Sequence, residues 1–205
     1  MIWIAASMLF STPEINELNQ KCYDAQADRW LRFPFQSVLP GWVKAYAVPG
    51  RALDIGSGNG ILAGWLKENG FDVLCLDPSP EMVSRCRAKG LETVEGTIQE
   101  FEAQKTFSSV FAILSLIHVP KSEFPAQAEK IASLLPSGGT FFLALIEGSS
   151  EEVKEQETGY PRFFSTFQKE EALGYFRPYF DLLEAMETAS TNTSMPCLLF
   201  ALKKK

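Results

Sequence analysis

Apolar positions along this chain follow two rhythms, and the change from one to the other marks out its elements. From Pro13 to about Ala47 the spacing is helical, with Ile15, Leu18 and Cys22, then Trp30, Leu31 and Phe33, set for partly buried faces, and with breaks at Pro34 and Pro40-Gly41. Beyond residue 50 nearly uninterrupted apolar runs take over: Ala52-Leu53-Asp54-Ile55, Phe71 to Asp77, Leu91 to Glu95, Val110 to Ile117 and Phe141 to Ile146. Runs of this kind are expected of parallel strands buried on both faces. Helical stretches separate several of them. One begins near Ile61, one is capped by Ser79 with Pro80 in its first turn, and one is opened by Ser122 and Pro125 and runs to Leu135. The result is five strands in βα alternation. After Ile146 the pattern changes: Glu147 to Gly159, with five Glu and one Lys among Ser and Gly, reads as a solvated loop. A helix from Gln168 to about Arg177 follows, then strands from Phe180 to Thr188 and from Ser194 to Leu202. The short turn Ala189 to Thr193 between these last strands requires them to be antiparallel, because a parallel return needs a crossover.

Candidate chemistry sits at the first strand's end. Asp54-Ile55-Gly56-Ser57-Gly58-Asn59-Gly60 carries glycine at alternate positions between a strand and a helix. Glycine admits positive φ and close approach of a ligand to the main chain, and a helix start offers free N–H groups to an anionic end. A nucleotide cradle results. The spacing is not that of a dinucleotide fold, since Ile61 stands where its third glycine would fall, and no Gly-Lys-Ser/Thr closes a phosphate loop. Asp77, at the end of the next strand and about 20 residues further on, is placed to accept from two ribose hydroxyls.

Leu53-Asp54-Ile55-Gly56-Ser57-Gly58-Asn59-Gly60 resembles motif I of the class I S-adenosylmethionine-dependent methyltransferases. Ser115-Leu116-Ile117-His118-Val119-Pro120 is similar to that family's motif IV region. Leu135-Pro136-Ser137-Gly138-Gly139 is similar to the turn preceding its fifth strand. Tyr23-Asp24-x-x-Ala27-Asp28-x-Trp30 resembles the N-terminal helix that many small-molecule members lay over the cofactor. The resemblance implies a Rossmann-like, doubly wound α/β fold, with a mostly parallel seven-stranded sheet, one antiparallel strand and helices on both faces. Its implied cofactor is S-adenosyl-L-methionine. The methionine end would be held by Asp54, Gly56, Ser57, Gly58, Asn59 and Gly60, the ribose by Asp77, the adenine by Thr97 and Ile98, and the region of the methyl by Ser115 and Leu116. Many members have Asp where Thr97 stands. On the acceptor side the expected residues are Tyr23 and Trp30 of the N-terminal helix, with Arg162 and Phe164 of the aromatic stretch Tyr160 to Ser165. Arg162 reads either as a partner for a substrate carboxylate or as a surface residue tied to a nearby Glu. His118, the one histidine, reads as a general base, a positioning group or a structural residue at a strand end.

Composition narrows the partners. The 205 residues, 46% hydrophobic, suit one domain, divided into an N-terminal helical cover over 1–47, a cofactor-binding core over 48–146 and a C-terminal part over 147–205. The net charge of −6, with Lys203-Lys204-Lys205 as the only dense basic run, disfavours a nucleic acid and favours a small organic acceptor. One His and four scattered cysteines offer no metal site, so transfer is expected to need no metal, and reduced thiols suit a cytoplasmic protein. Met1 to Phe10 is apolar but lacks a leading positive charge and is too short for a membrane span, so an extension is expected there, with Met8 as an alternative start. Two competing functions remain: a non-catalytic S-adenosylmethionine-binding protein, and an NAD(P)-dependent oxidoreductase, against which the glycine spacing speaks.

Overall fold

The apolar runs assemble into a seven-stranded sheet in a computed structural model that describes residues 10–29, 31–155, 159–189 and 195–205. Trp30 and the apolar residues 1–9 lie outside the described residues, as do 190–194 of the turn between the last strands. The strands are β1 (Arg51–Ile55), β2 (Asp72–Asp77), β3 (Glu92–Glu95), β4 (Ser109–Ile113), β5 (Thr140–Ile146), β8 (Phe180–Ala189) and β9 (Pro196–Lys204), in the order β3-β2-β1-β4-β5-β9-β8. β6 (Glu151–Glu155) and β7 (Pro161–Ser165) form a separate two-stranded sheet. β9 pairs antiparallel with both β5 and β8, so it is the one reversed strand of the large sheet. Burial matches position: every residue of β5 is buried, whereas edge strand β3 is mostly exposed.

The helices are α1 (Thr12–Ala25), α2 (Leu39–Tyr46), α3 (Ile61–Glu68), α4 (Pro80–Ala88), α5 (Phe124–Ser133) and α6 (Lys169–Phe176). Right-handed crossovers carry α3 and α4 to one face and α5 to the other, because the strand order reverses direction between β1 and β4. That reversal opens a crevice beyond the carboxyl ends of β1 and β4, where the glycine loop begins.

Three features depart from the sequence pattern. Pro40-Gly41 does not break a helix but lies in the first turn of α2, where proline's missing N–H is one the helix would leave unpaired anyway. The alternation lapses between β3 and β4, which are joined by turns with no α-helix; Ile98, Phe101 and Phe107 are buried from this irregular path. The supposed solvated loop over 147–159 contains β6, paired antiparallel with β7 so that Val153 faces Phe163 and Lys154 faces Arg162. Val153 packs on Ile15 and Phe163. Val153 is the one apolar residue of β6, so the strand's acidic composition hides it.

Candidate active site

The glycine loop is built from three glycines with different duties. All three have positive φ: 66° at Gly56, 53° at Gly58 and 69° at Gly60. A Cβ on Gly56 would lie 2.3 Å from the Ser115 Cβ, and one on Gly60 would lie 2.6 Å from Leu91 Cδ1 and 2.9 Å from Cys86 Sγ. Both glycines are therefore demanded by packing within the protein. A Cβ on Gly58 meets no atom within 4 Å and Gly58 lines the cleft, so there the bare backbone is left for a ligand.

The loop is held from below and from the side. Leu76 C=O accepts from the N–H groups of Gly56 (2.7 Å) and Ser57 (3.2 Å), joining the loop to β2. Asp77 accepts from Gly58 N–H through Oδ2 (2.8 Å) and from Ser79 N–H through Oδ1 (2.9 Å). It is only 6% exposed, and burial raises its pKa to about 6 against the pull of those two N–H groups. Each of its oxygens keeps a second lone pair. Asp54 is buried at the loop's root, with its pKa raised to about 8, chiefly by desolvation. Its Oδ2 has no hydrogen-bond partner among the described residues. Ile98 is buried in the same cleft wall as Thr97, whose hydroxyl is already given to Glu100 (2.8 Å).

At the end of β4 the chain turns through Leu114 at φ 59°, a conformation that non-glycine residues rarely adopt. This turn presses Ser115 against Gly56 and sends Leu116 and His118 into the cleft wall. Leu114's role leaves no trace in the amino-acid pattern, since a leucine inside the apolar run Val110 to Ile117 looks like ordinary strand.

The opposite wall comes from α1 and β7. Phe163 N–H donates to Asn19 Oδ1 (2.9 Å), and the Phe163 carbonyl accepts from His118 Nδ1 (2.7 Å). A carbonyl can only accept, so Nδ1 carries the proton and Nε2 accepts from the Tyr23 hydroxyl at 2.6 Å. Arg162 is 3% exposed. Its guanidinium lies 4.9 Å from the Phe164 ring centre and 5.5 Å from that of Tyr23, and its Nη1 donates to the Tyr23 hydroxyl (3.3 Å). The reading of Arg162 as a surface residue is thus corrected: β7 carries it inward, because its cross-strand position faces the cleft. Tyr23, His118, Arg162 and Phe164 line one cavity together with the glycine loop, Asp77, Thr97 and Ile98. Asn16, Asn19 and Gln20 also line it and were missed; with Tyr23 they make a polar stripe at helical spacing, a signal that could have been read.

Desolvation depresses the His118 pKa to about 3, with the nearby Arg162 charge adding to the effect and the Phe163 carbonyl opposing it. As the chain holds one histidine, its ring signals are unambiguous by NMR. The imidazole is expected to remain the neutral Nδ1–H tautomer from about pH 8 down to about pH 5, with no titration; a midpoint near 6.5 would contradict the two bonds just described. Unfolding restores an ordinary imidazole that binds its proton first. Hence this residue's contribution to stability is present above about pH 6.5 and is lost as pH falls toward about 3.

Residues 52–139 match the family model described as a methyltransferase domain. A ubiquinone biosynthesis O-methyltransferase of Xanthomonas campestris pv. campestris is 36% identical over 109 residues, covering 49% of this chain and 45% of that protein. The chain spans about half the length of the curated relatives it matches. Among solved structures, the fold is similar to that of a 1,6-didemethyltoxoflavin N1-methyltransferase of Burkholderia thailandensis, bound to 1,6-didemethyltoxoflavin and S-adenosylhomocysteine. The TM-score is 0.74 and the identity 16%, over 100% of this chain and 93% of that one. It is also similar to an N-methyltransferase of Bradyrhizobium japonicum in complex with S-adenosylhomocysteine, with a TM-score of 0.63 and 14% identity over 82% and 84% of the two chains. Residues 52–139 thus match a methyltransferase domain, and the fold is similar to that of solved S-adenosylmethionine-dependent methyltransferases.

Proposed function

We propose that the protein transfers the methyl group of S-adenosylmethionine to a small organic acceptor, by in-line displacement and without a metal ion, in the cytoplasm. The observation that carries this reading is the continuity of the cleft. A single cavity is lined by the glycine loop and Asp77, by Ser115 and Leu116, and by Tyr23, His118, Arg162 and Phe164. Two ligands can therefore meet inside it, as group transfer requires and as a binding protein would not.

The residues present fit the cofactor. Gly58 leaves an open face, Asp54 offers a buried carboxyl oxygen without a protein partner, and Asp77 has lone pairs to spare beyond its two backbone bonds. Gly56, Ser57, Gly58, Asn59 and Gly60 with Asp54 would hold the methionine end, Asp77 the ribose hydroxyls, and Thr97 and Ile98 the adenine. Ser115 and Leu116 would border the methyl. When bound, this cofactor supplies a methyl carbon on a positively charged sulfur, an electrophile that needs no further activation. The protein's part is to align the acceptor and keep water out.

Incubation with methyl-labelled S-adenosylmethionine and a panel of small phenols, acidic heterocycles and amines tests the reading. Label appearing in any acceptor supports it; cofactor binding with no transfer across the panel favours a non-catalytic binder. A thermal shift with NADH but none with S-adenosylhomocysteine would favour an oxidoreductase. Once an acceptor is in hand, transfer is expected to be unchanged by EDTA, and activity lost to EDTA and restored by magnesium would refute the metal-free mechanism.

A further inference from the structure

Asn19 of α1 spends one of its two polar atoms on the protein and leaves the other over. Its Oδ1 accepts from the Phe163 N–H (2.9 Å). That group can only donate, so the oxygen of the amide must face β7 and Nδ2 must turn away from it. Asn19 is 6% exposed, and its Nδ2 has no hydrogen-bond partner among the described residues. A buried donor of this kind is unfavourable unless something accepts from it, and native proteins leave few of them. The orphan therefore marks a place for an occupant.

The surroundings say which occupant. Phe163 gives its N–H to Asn19 and accepts at its carbonyl from His118, and Tyr23, one helical turn beyond Asn19, bonds to the same imidazole. Asn16, Asn19, Gln20 and Tyr23 follow one another at intervals of three and four, so they share a face of α1, and all of them line the cavity. The side chains of Asn16 and Gln20 hold no hydrogen bond to the described residues. With Oδ1 already engaged, Asn19 has only a donor to offer, and its partner must be an acceptor. A carbonyl oxygen accepts and brings no proton that needs a home of its own, whereas a hydroxyl or an amine brings at least one. It also enters a buried site at less cost than a charged oxygen does.

Resting on the methyltransferase reading, we propose that Asn19 orients the methyl acceptor by donating its Nδ2–H to an uncharged carbonyl oxygen of that molecule. The methylated atom is a different one, and the carbonyl serves to hold the molecule in register. Asn16 and Gln20, each able to donate and to accept, meet the polar groups beside that carbonyl. By this assignment α1 selects the acceptor as well as covering the cleft.

Benzamide and thiobenzamide test this, because they share a shape and differ in the strength of one acceptor atom. In protein saturated with S-adenosylhomocysteine, benzamide should bind about threefold or more tightly than thiobenzamide and should move the Asn19 side-chain amide protons downfield. Asn19→Asp keeps an oxygen for the Phe163 N–H but turns the donor into an acceptor. It should weaken benzamide about 10-fold or more and erase the preference over thiobenzamide. Should that variant fail to fold, the wild-type resonances and the wild-type preference still decide. The proposal is overturned if benzamide does not bind, if it binds without moving the Asn19 amide, if thiobenzamide binds as well, or if a folded Asn19→Asp keeps benzamide affinity within about twofold. The last result would leave Asn19 as a tie between α1 and β7 alone. Failure of S-adenosylhomocysteine itself to bind would instead overturn the cofactor reading on which the proposal stands.

Discussion

Gly58→Val is expected to fold and to bind no S-adenosylhomocysteine. The added side chain would stand in open cleft, touching no protein atom at its Cβ, so it displaces only ligand. Its cost to the fold is the left-handed backbone at φ 53°, about 1–2 kcal/mol, which in a chain of this size lowers Tm by roughly 2–8 °C. Gly56→Val supplies the contrast. There the new Cβ would sit 2.3 Å from Ser115, between the loop and the end of β4, so the variant should lose stability and binding together. A normal ligand-induced thermal shift in Gly58→Val would remove the loop from the binding site.

Asp77→Ala is expected to weaken S-adenosylhomocysteine by about 1.5–3 kcal/mol, the range for hydrogen bonds to a charged group. The variant loses more than a ribose partner, because the N–H groups of Gly58 and Ser79 both end on this carboxylate. Loop geometry and ligand contact therefore fail at once, and Asp77→Asn should not restore them, since an amide presents an N–H to one of those donors. The pH dependence follows from the carboxyl's elevated pKa of about 6. Below that value it gains a proton and loses acceptor capacity, so affinity in the wild type should fall as pH drops through about 6, and the fall should be absent in Asp77→Asn. Affinity in Asp77→Ala within twofold of wild type would show that the ribose is held elsewhere.

What could be read from the sequence was what local chemistry writes locally. The glycines at 56, 58 and 60, the acid at 77 and the buried runs each declare themselves within a few residues, and they placed the core strands and the loop side of the cleft. The opposite wall is written in contacts that leave no local trace. Nothing near His118 announces that its Nδ1 will meet the carbonyl of Phe163, 45 residues on. β6 is disguised because Val153 is its one apolar residue. Leu114 has a side chain suited to a strand and a backbone that is not one. Proline misled for the opposite reason: at Pro40 its usual meaning as a breaker gave way to its meaning at a helix start.

The covering helix carries a consequence for how the molecule is assembled. The ties of α1 run to residues made much later: Tyr23 to His118 across 95 positions, Tyr23 to Arg162 across 139 and Asn19 to Phe163 across 144. Those bonds cannot form until the sheet exists to hold His118 and until β7 has left the ribosome. A helix translated before its partners is thus docked after them, and its long-range contacts add to the loop-closure entropy that the chain must overcome to complete the cleft.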